Sequence, residues 1–255
     1  PNQKDVIKEL LIKTGRNPYA LKVAIGLSVS GAYTFSEVIA LLDQAKGKIF
    51  DFLFTRAWNT LTASEKSILT SLSFFSAAPD RAALFEITGL GHEEAEEGVI
   101  KLLELSLIEP LYLLGDKPIR FSLHPLVRSF ARSKLKEEPR YQQDILARMA
   151  KYYLVLTEKF PLSHDWKDRV LTISSEDVQI LVGLVDHLFN YELWEDLITL
   201  RNNIWYILTI KGYWKDRLHI DELAIHAAEK VGNVELKPWV FVHTYSWIAY
   251  KQGKI

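Results

Sequence analysis

Cysteine is absent from the 255 residues, which removes disulfide scaffolds, thiolate nucleophiles and Cys-bearing zinc sites together. It fits a reducing compartment, and a cytoplasmic location is expected. No stretch reaches the roughly 18 apolar residues that a spanning helix needs. The opening PNQKDVIKEL also lacks the apolar core of a secretion signal, so membrane insertion is not expected. A surplus of charge is missing as well: 31 Lys and Arg against 32 Asp and Glu leave a formal -1. No global field therefore draws the chain to nucleic acid or to an anionic surface, and any charged function is local. What remains is an ordinary globular composition, 48% hydrophobic and 25% charged, long enough for two compact domains. The chain opens on Pro1 and closes on KQGKI directly after an amphipathic pattern, so both ends read as cut from a longer protein.

The periodicity is almost wholly helical. Val6, Ile7, Leu10 and Leu11 recur at helical spacing, and Gly15 supplies a left-handed stop after Thr14. Asn17 can cap the next helix and Pro18 suits its first position, with Ala20, Leu21, Ala24, Leu27 and Ser28 as the inner face. Thr34 with Glu37, and Thr62 with Glu65, have the spacing of capping boxes. A helix is expected after Pro79, closed by Gly89, and another over residues 92 to 106 with Ala95, Val99, Leu102, Leu103 and Leu105 inward. The period then changes: SLIEPLYLL, the turn residues GDKP and IRFSL read as two short strands. Pro125 opens a helix with Leu126, Val127, Phe130 and Ala131 inward. From Tyr141 onward only helix is expected, broken near Pro161 and at Ser174-Ser175. The fragments ELWEDL and GYWKDRL resemble one another, and GYW is echoed by the terminal GKI, which suggests helical repeats of roughly 34 to 47 residues. The expected architecture is mainly α. It comprises a helical subdomain over 1–48, a winged helix with a short β-hairpin over 49–138, and a helical bundle or TPR-like solenoid over 139–255.

The sequence carries no recognisable catalytic machinery and no metal site. None of the seven histidines forms HExxH or a close ligand pair with a carboxylate, and neither GxSxG nor GxxxxGK[ST] occurs. The glutamates at 93, 94, 96 and 97 read as a solvated helix start rather than paired catalytic carboxylates. Two segments rise above this background. TGRNPYALKVAIGL builds a helix start from Gly15, Asn17 and Pro18, and FSLHPLVRSFARSKL delivers His124 to a helix opened by Pro125. A helix N-terminus offers unpaired N–H groups, so His124 there can meet a phosphate, with Arg128 and Arg132 one and two turns on. On spacing alone, His124 as an N-cap with the arginines as a wet stripe is favoured.

TGRNPYALKVA resembles the GxP motif of the NB-ARC and related STAND nucleotide-switch proteins, and LHPLVRSFARSKL resembles their MHD motif in the winged helix. WNTLTASEKSILTSLSFF and VIKLLELSLIEP are similar to the part between, so the resemblance covers roughly residues 1 to 138. It implies that Pro18 packs on the adenine and His124 contacts the β-phosphate of ADP, holding the winged helix closed in an inactive state. Leu123 stands where the family has Met and Pro125 where it has Asp, which removes a carboxylate that could orient the histidine. The family's phosphate loop and Mg-binding strand are not in this sequence, so the chain itself is expected to hold no cofactor and to be no enzyme. ADP or ATP with Mg belongs to the intact parent. The implied partners are an upstream nucleotide-binding domain of the same parent, a protein partner or trigger at the repeats, and a further copy in a nucleotide-dependent homo-oligomer. The competing readings are a helical-repeat adaptor and a winged-helix DNA-binding regulator. Against DNA, the helix in the recognition position carries Glu93, Glu94, Glu96, Glu97 and Glu104 but only Lys101.

Overall fold

The structure, a computed structural model, describes residues 3–45, 48–112, 119–158 and 173–246. It is mainly α-helical with a two-stranded antiparallel hairpin, and it divides into two compact units. The first comprises residues 1–74 and 78–142, the second residues 75–77 and 143–255. Among the described residues, no helix is long and apolar enough to cross a membrane.

The first unit opens with α1 (Gln3–Lys13), α2 (Pro18–Val29), α3 (Phe35–Asp43) and α4 (Ile49–Thr60). Their ends follow the local chemistry. Asn17 Oδ1 accepts from the N–H groups of Tyr19 and Ala20, both at 3.0 Å, and Pro18 takes the first helical position. At α3 the capping box closes in both directions, and the bonds from the Thr34 N–H and hydroxyl hold the Glu37 carboxyl below its ordinary range. The inner stripe of α2 is Ala20, Val23, Ala24, Gly26 and Leu27, whereas Leu21 and Ser28 stand half-buried. On α1, Leu10 is buried while Ile7 and Leu11 remain exposed.

The same unit continues through α5 (Ala63–Phe74), α6 (Arg81–Thr88), α7 (His92–Glu104), β1 (Glu109–Leu111), β2 (Arg120–Ser122) and α8 (Pro125–Lys136). Thr62 and Glu65 form the expected box before α5, Asp80 caps α6, and Gly89 ends it in the left-handed region at φ 71°. The strands pair Glu109 with Ser122 and Leu111 with Arg120, and an isolated bridge from Asp80 to Arg120 adds a third strand position ahead of α6. Three helices, the Asp80 bridge and a hairpin make a winged-helix-like arrangement. The strands, three residues each, are shorter than SLIEPLYLL and IRFSL suggested, and the GDKP turn lies outside the described residues. On α8 the buried stripe is Val127, Ala131 and Leu135. Leu126, expected inward, is exposed because it lies one residue, about 100° of helical rotation, off this stripe.

The second unit contains most of α9 (Pro139–Glu158), then α10 (Ser175–Asn190), α11 (Trp194–Ile210), α12 (Trp214–Val231), the short α13 (Leu236–Val240) and a π-type turn at Phe241–Tyr245. Ser174 caps α10 with a full capping box. The Pro161 break and the terminal GKI lie outside the described residues. The turns α10–α11 and α11–α12 are built alike. Tyr191 N–H reaches His187 O and Leu193 N–H reaches Leu188 O, just as Lys211 N–H reaches Ile207 O and Tyr213 N–H reaches Leu208 O. Each turn needs one left-handed residue, Glu192 at φ 58° and Gly212 at φ 78°. ELWEDL and GYWKDRL are these successive turns, one helix apart, and such short connections set neighbouring helices antiparallel. The core is Val178, Leu181, Leu184, Leu197, Leu200, Ile204, Leu208, Ile220 and Ala224, with three charged side chains inside it, Arg201, Arg217 and Asp221.

Candidate functional site

Pro18 and His124, far apart in sequence, belong to the same surface of the first unit. Tyr19, the residue after Pro18, lies flat on the His124 ring, with centroids 3.8 Å apart and planes 12° from parallel. Two helix starts thus meet, α2 through Pro18 and Tyr19, and α8 through His124 and Pro125. Pro18 is exposed and His124 half-buried. Leu123, just ahead, is buried at 7% exposure and anchors the strand end in the core.

The His124 ring is oriented by its own helix. Its Nδ1 accepts from the Leu126 N–H at 3.3 Å, so His124 is the N-cap of α8. An accepting Nδ1 puts the proton of the neutral ring on Nε2, which is then a donor. Tyr19 is fixed at its other end, where its hydroxyl donates to Ser106 O at 3.0 Å. Burial first, and the Glu109 charge second, push the Tyr19 phenol well above its ordinary range, so it stays a donor. Ser106 itself sits in the left-handed region at φ 56°, where the chain leaves α7 for β1. Phe54 closes the inner side of Tyr19 at 6.3 Å.

Other contacts tie α2 to the winged-helix-like part of the unit. Lys22 pairs with Glu109 at 2.6 Å on the surface, and Lys101 Nζ donates to Ser30 O at 2.9 Å, meeting the negative end of α2. Gly26 allows the closest approach. A Cβ there would meet Glu104 O and the Leu105 carbonyl at 2.8 Å.

Arg128 is half-buried and Arg132 exposed, and both are engaged by the chain itself. Arg132 Nε donates to Ser73 O at 2.9 Å and Arg128 Nη1 reaches the same oxygen at 3.4 Å. Both close the carboxyl end of α5, where the carbonyls carry partial negative charge. Burial and the neighbouring Arg132 lower the Arg128 pKa. Among the described residues there is no cluster of His, Asp and Glu fit to hold a metal ion. His219 pairs with Asp186 at 2.7 Å, while His226 lies against Phe189 and Trp194.

Tyr19 and Ser106 were not foreseen from sequence. A stacking partner 105 residues away leaves no local signal; only the position of an aromatic directly after a helix-opening proline hints at it.

The outer face of α7 bears on recognition. Glu93, Glu94, Glu97, Ile100 and Glu104 are exposed, and Lys101 is engaged with Ser30 O and Glu104. Four carboxylates therefore face solvent where a DNA-reading helix would present cations.

No family model matches the chain. It is 25% identical over 157 residues to the transcription activator GutR of Bacillus subtilis (strain 168), a match that covers 60% of this chain and 19% of that protein. The chain thus spans about a fifth of the length of the relative it matches.

Proposed function

We propose that the chain is the signal-coupling segment of a transcription regulator, acting in the cytoplasm through contacts with other protein segments rather than as the DNA reader. Similarity to a protein named as a transcription activator supports the regulatory role. The observation that carries the mode of action is the acidic outer face of α7, which repels a phosphate backbone. In this reading the second unit is a TPR-like surface that receives a partner or trigger, and the winged-helix-like part is a packing and relay module. No catalytic step is assigned to the chain.

The test is fluorescence anisotropy of a labelled mixed-sequence duplex titrated with the chain at low and moderate salt. No saturable binding is expected at either. Binding whose affinity falls steeply with salt would make the winged-helix-like part a DNA reader after all.

The Tyr19–His124 stack favours a particular form of this reading, the nucleotide switch implied by the STAND resemblance. Two helix N-termini side by side, with a donor on His124 Nε2, suit an oxyanion such as the β-phosphate of ADP, and exposed Pro18 suits a base. ADP, and ATP with Mg, would be held chiefly by a nucleotide-binding domain of the parent protein. A nucleotide that contacts His124 in one arrangement only shifts the population toward it. Exchange would release the contact and permit a homo-oligomer. In the full-length protein, His124→Asn should preserve the helix cap yet lose retained ADP on gel filtration; unchanged retention sinks the switch.

A further inference from the structure

Among the described residues, the interior of the second unit holds more positive than negative charge. Arg201, Arg217 and Asp221 have side chains 1% exposed, and one carboxylate serves two guanidiniums. Asp221 Oδ1 accepts from Arg201 Nε at 2.5 Å, while Asp221 Oδ2 stands 3.7 Å from Arg217 Nε without a hydrogen bond. Arg217 finds its other partners in the chain's own oxygens. Its Nη2 donates to His243 O at 2.8 Å and Thr244 Oγ1 at 2.6 Å, and its Nη1 donates to Thr209 Oγ1. Arg201 is left short: Nη1 donates to Asn202 Oδ1 at 3.1 Å, but Nη2 is buried with no hydrogen-bond partner among the described residues.

A surplus buried charge with an unused donor is costly unless something else meets it. Aromatic rings meet it in part. The Arg201 guanidinium lies 4.4 Å from the Trp239 ring centre, that of Arg217 lies 5.3 Å from Trp205, and the two indoles meet edge to face at 5.0 Å. A ring face offers neither an acceptor nor a full negative charge. Arg201 also lines a groove of about 340 Å³ with Asn202, Trp205, Asn233, Leu236 and Trp239, and Glu235 stands at the same rim. Trp239 lies in α13, which runs directly into the π-type turn at Phe241–Tyr245, and its ring is half-buried.

We propose that this groove binds a small ligand bearing an oxyanion, a carboxylate or a phosphate, which displaces the Trp239 ring from Arg201 and takes the unused Nη2 donor. The Trp205 and Trp239 rings flank the ligand's apolar or planar part. Asn202 and Asn233 supply amide groups at the rim, and Glu235 opposes multiply charged anions there. The site is independent of the Tyr19–His124 surface and of the nucleotide-switch reading.

The test uses the full chain, labelled with nitrogen-15, at constant ionic strength. Inorganic phosphate is titrated in one arm and acetate in the other, with the indole N–H signals of Trp205 and Trp239 and the Arg201 Nε–H signal as readouts. The expected result is a saturable shift of these signals in at least one arm. Response to phosphate only assigns a phosphoryl ligand, and response to acetate only assigns a carboxylate. Asn202→Asp turns the acceptor of Arg201 Nη1 into a carboxylate, which supplies at Arg201 the negative charge the ligand would bring and should weaken binding about tenfold; Glu235→Gln should tighten it several-fold. No saturable shift in either arm overturns the proposal, as does equal binding by Asn202→Asp and the parent chain.

Discussion

At the scale of single residues, His124 carries two separable roles, and substitution can tell them apart. It caps α8 through Nδ1 and stacks on Tyr19 through its ring. A lost cap costs about 1 kcal/mol and a lost aromatic pair about 0.5–1.5 kcal/mol. His124→Ala removes both, so urea unfolding should show a loss of about 1.5–2.5 kcal/mol. His124→Asn retains a side-chain acceptor for the Leu126 N–H and should lose only the stacking part. Equal losses for the two variants would mean that the cap contributes nothing. The cap was legible in FSLHPL because a polar residue before Pro125 obeys local rules. The stack was not, since it depends on where α2 lies. Arg128 and Arg132 show the same divide: their spacing put them on one face, but only the packed position of the α5 carboxyl end gives them a shared acceptor, Ser73 O.

At the scale of elements, the starts and stops were the most readable features, because each is fixed within a few residues. Asn17, Thr34, Thr62 and Gly89 act as their local chemistry requires. Inner faces were less secure. Leu126 and Ile7 are apolar yet exposed, since one or two partners suffice to bury a short amphipathic helix. The buried charges left a trace in α12, where Arg217 and Asp221 occupy the same helical stripe as Ile220, Ala224 and Ala228. Charges on an inner stripe are the sign of an internal ion pair. The two equivalent turns also provide a prediction. Glu192 holds the left-handed position that Gly212 occupies in the next turn. A non-glycine residue there costs about 1–2 kcal/mol, while glycine's greater freedom when unfolded returns about 0.4–1 kcal/mol of that. Glu192→Gly should therefore stabilise the chain by about 0.5–1 kcal/mol and raise the midpoint of thermal unfolding by circular dichroism. A lower midpoint would show that the Glu192 side chain supplies a contact worth more than the strain.

At the scale of the whole molecule, two compact units with separate cores imply that a single two-state transition does not describe unfolding. The distinction can be read with a substitution confined to one unit. Gly26→Ala improves helix propensity by about 1 kcal/mol. Its new methyl, however, would meet the backbone of Glu104 and Leu105 at 2.8 Å, and backbone cannot rotate away as a side chain can. Overpacking of this kind costs about 1–3 kcal/mol, and an obstacle made of main chain belongs at the upper end. The net effect is a loss of about 1–2 kcal/mol despite the better helix former. Because Gly26 lies in the first unit, this loss should lower the midpoint of one phase of denaturant unfolding and leave the other in place. Glu192→Gly, in the second unit, should move the other phase upward. Indole fluorescence can assign the second phase, since Trp194, Trp205, Trp214 and Trp239 all lie in the second unit and only Trp58 among the described tryptophans lies in the first. If both substitutions displaced one common transition, the units would be thermodynamically a single body, and a signal received by the helices of the second would reach the Tyr19–His124 surface as part of the same cooperative change.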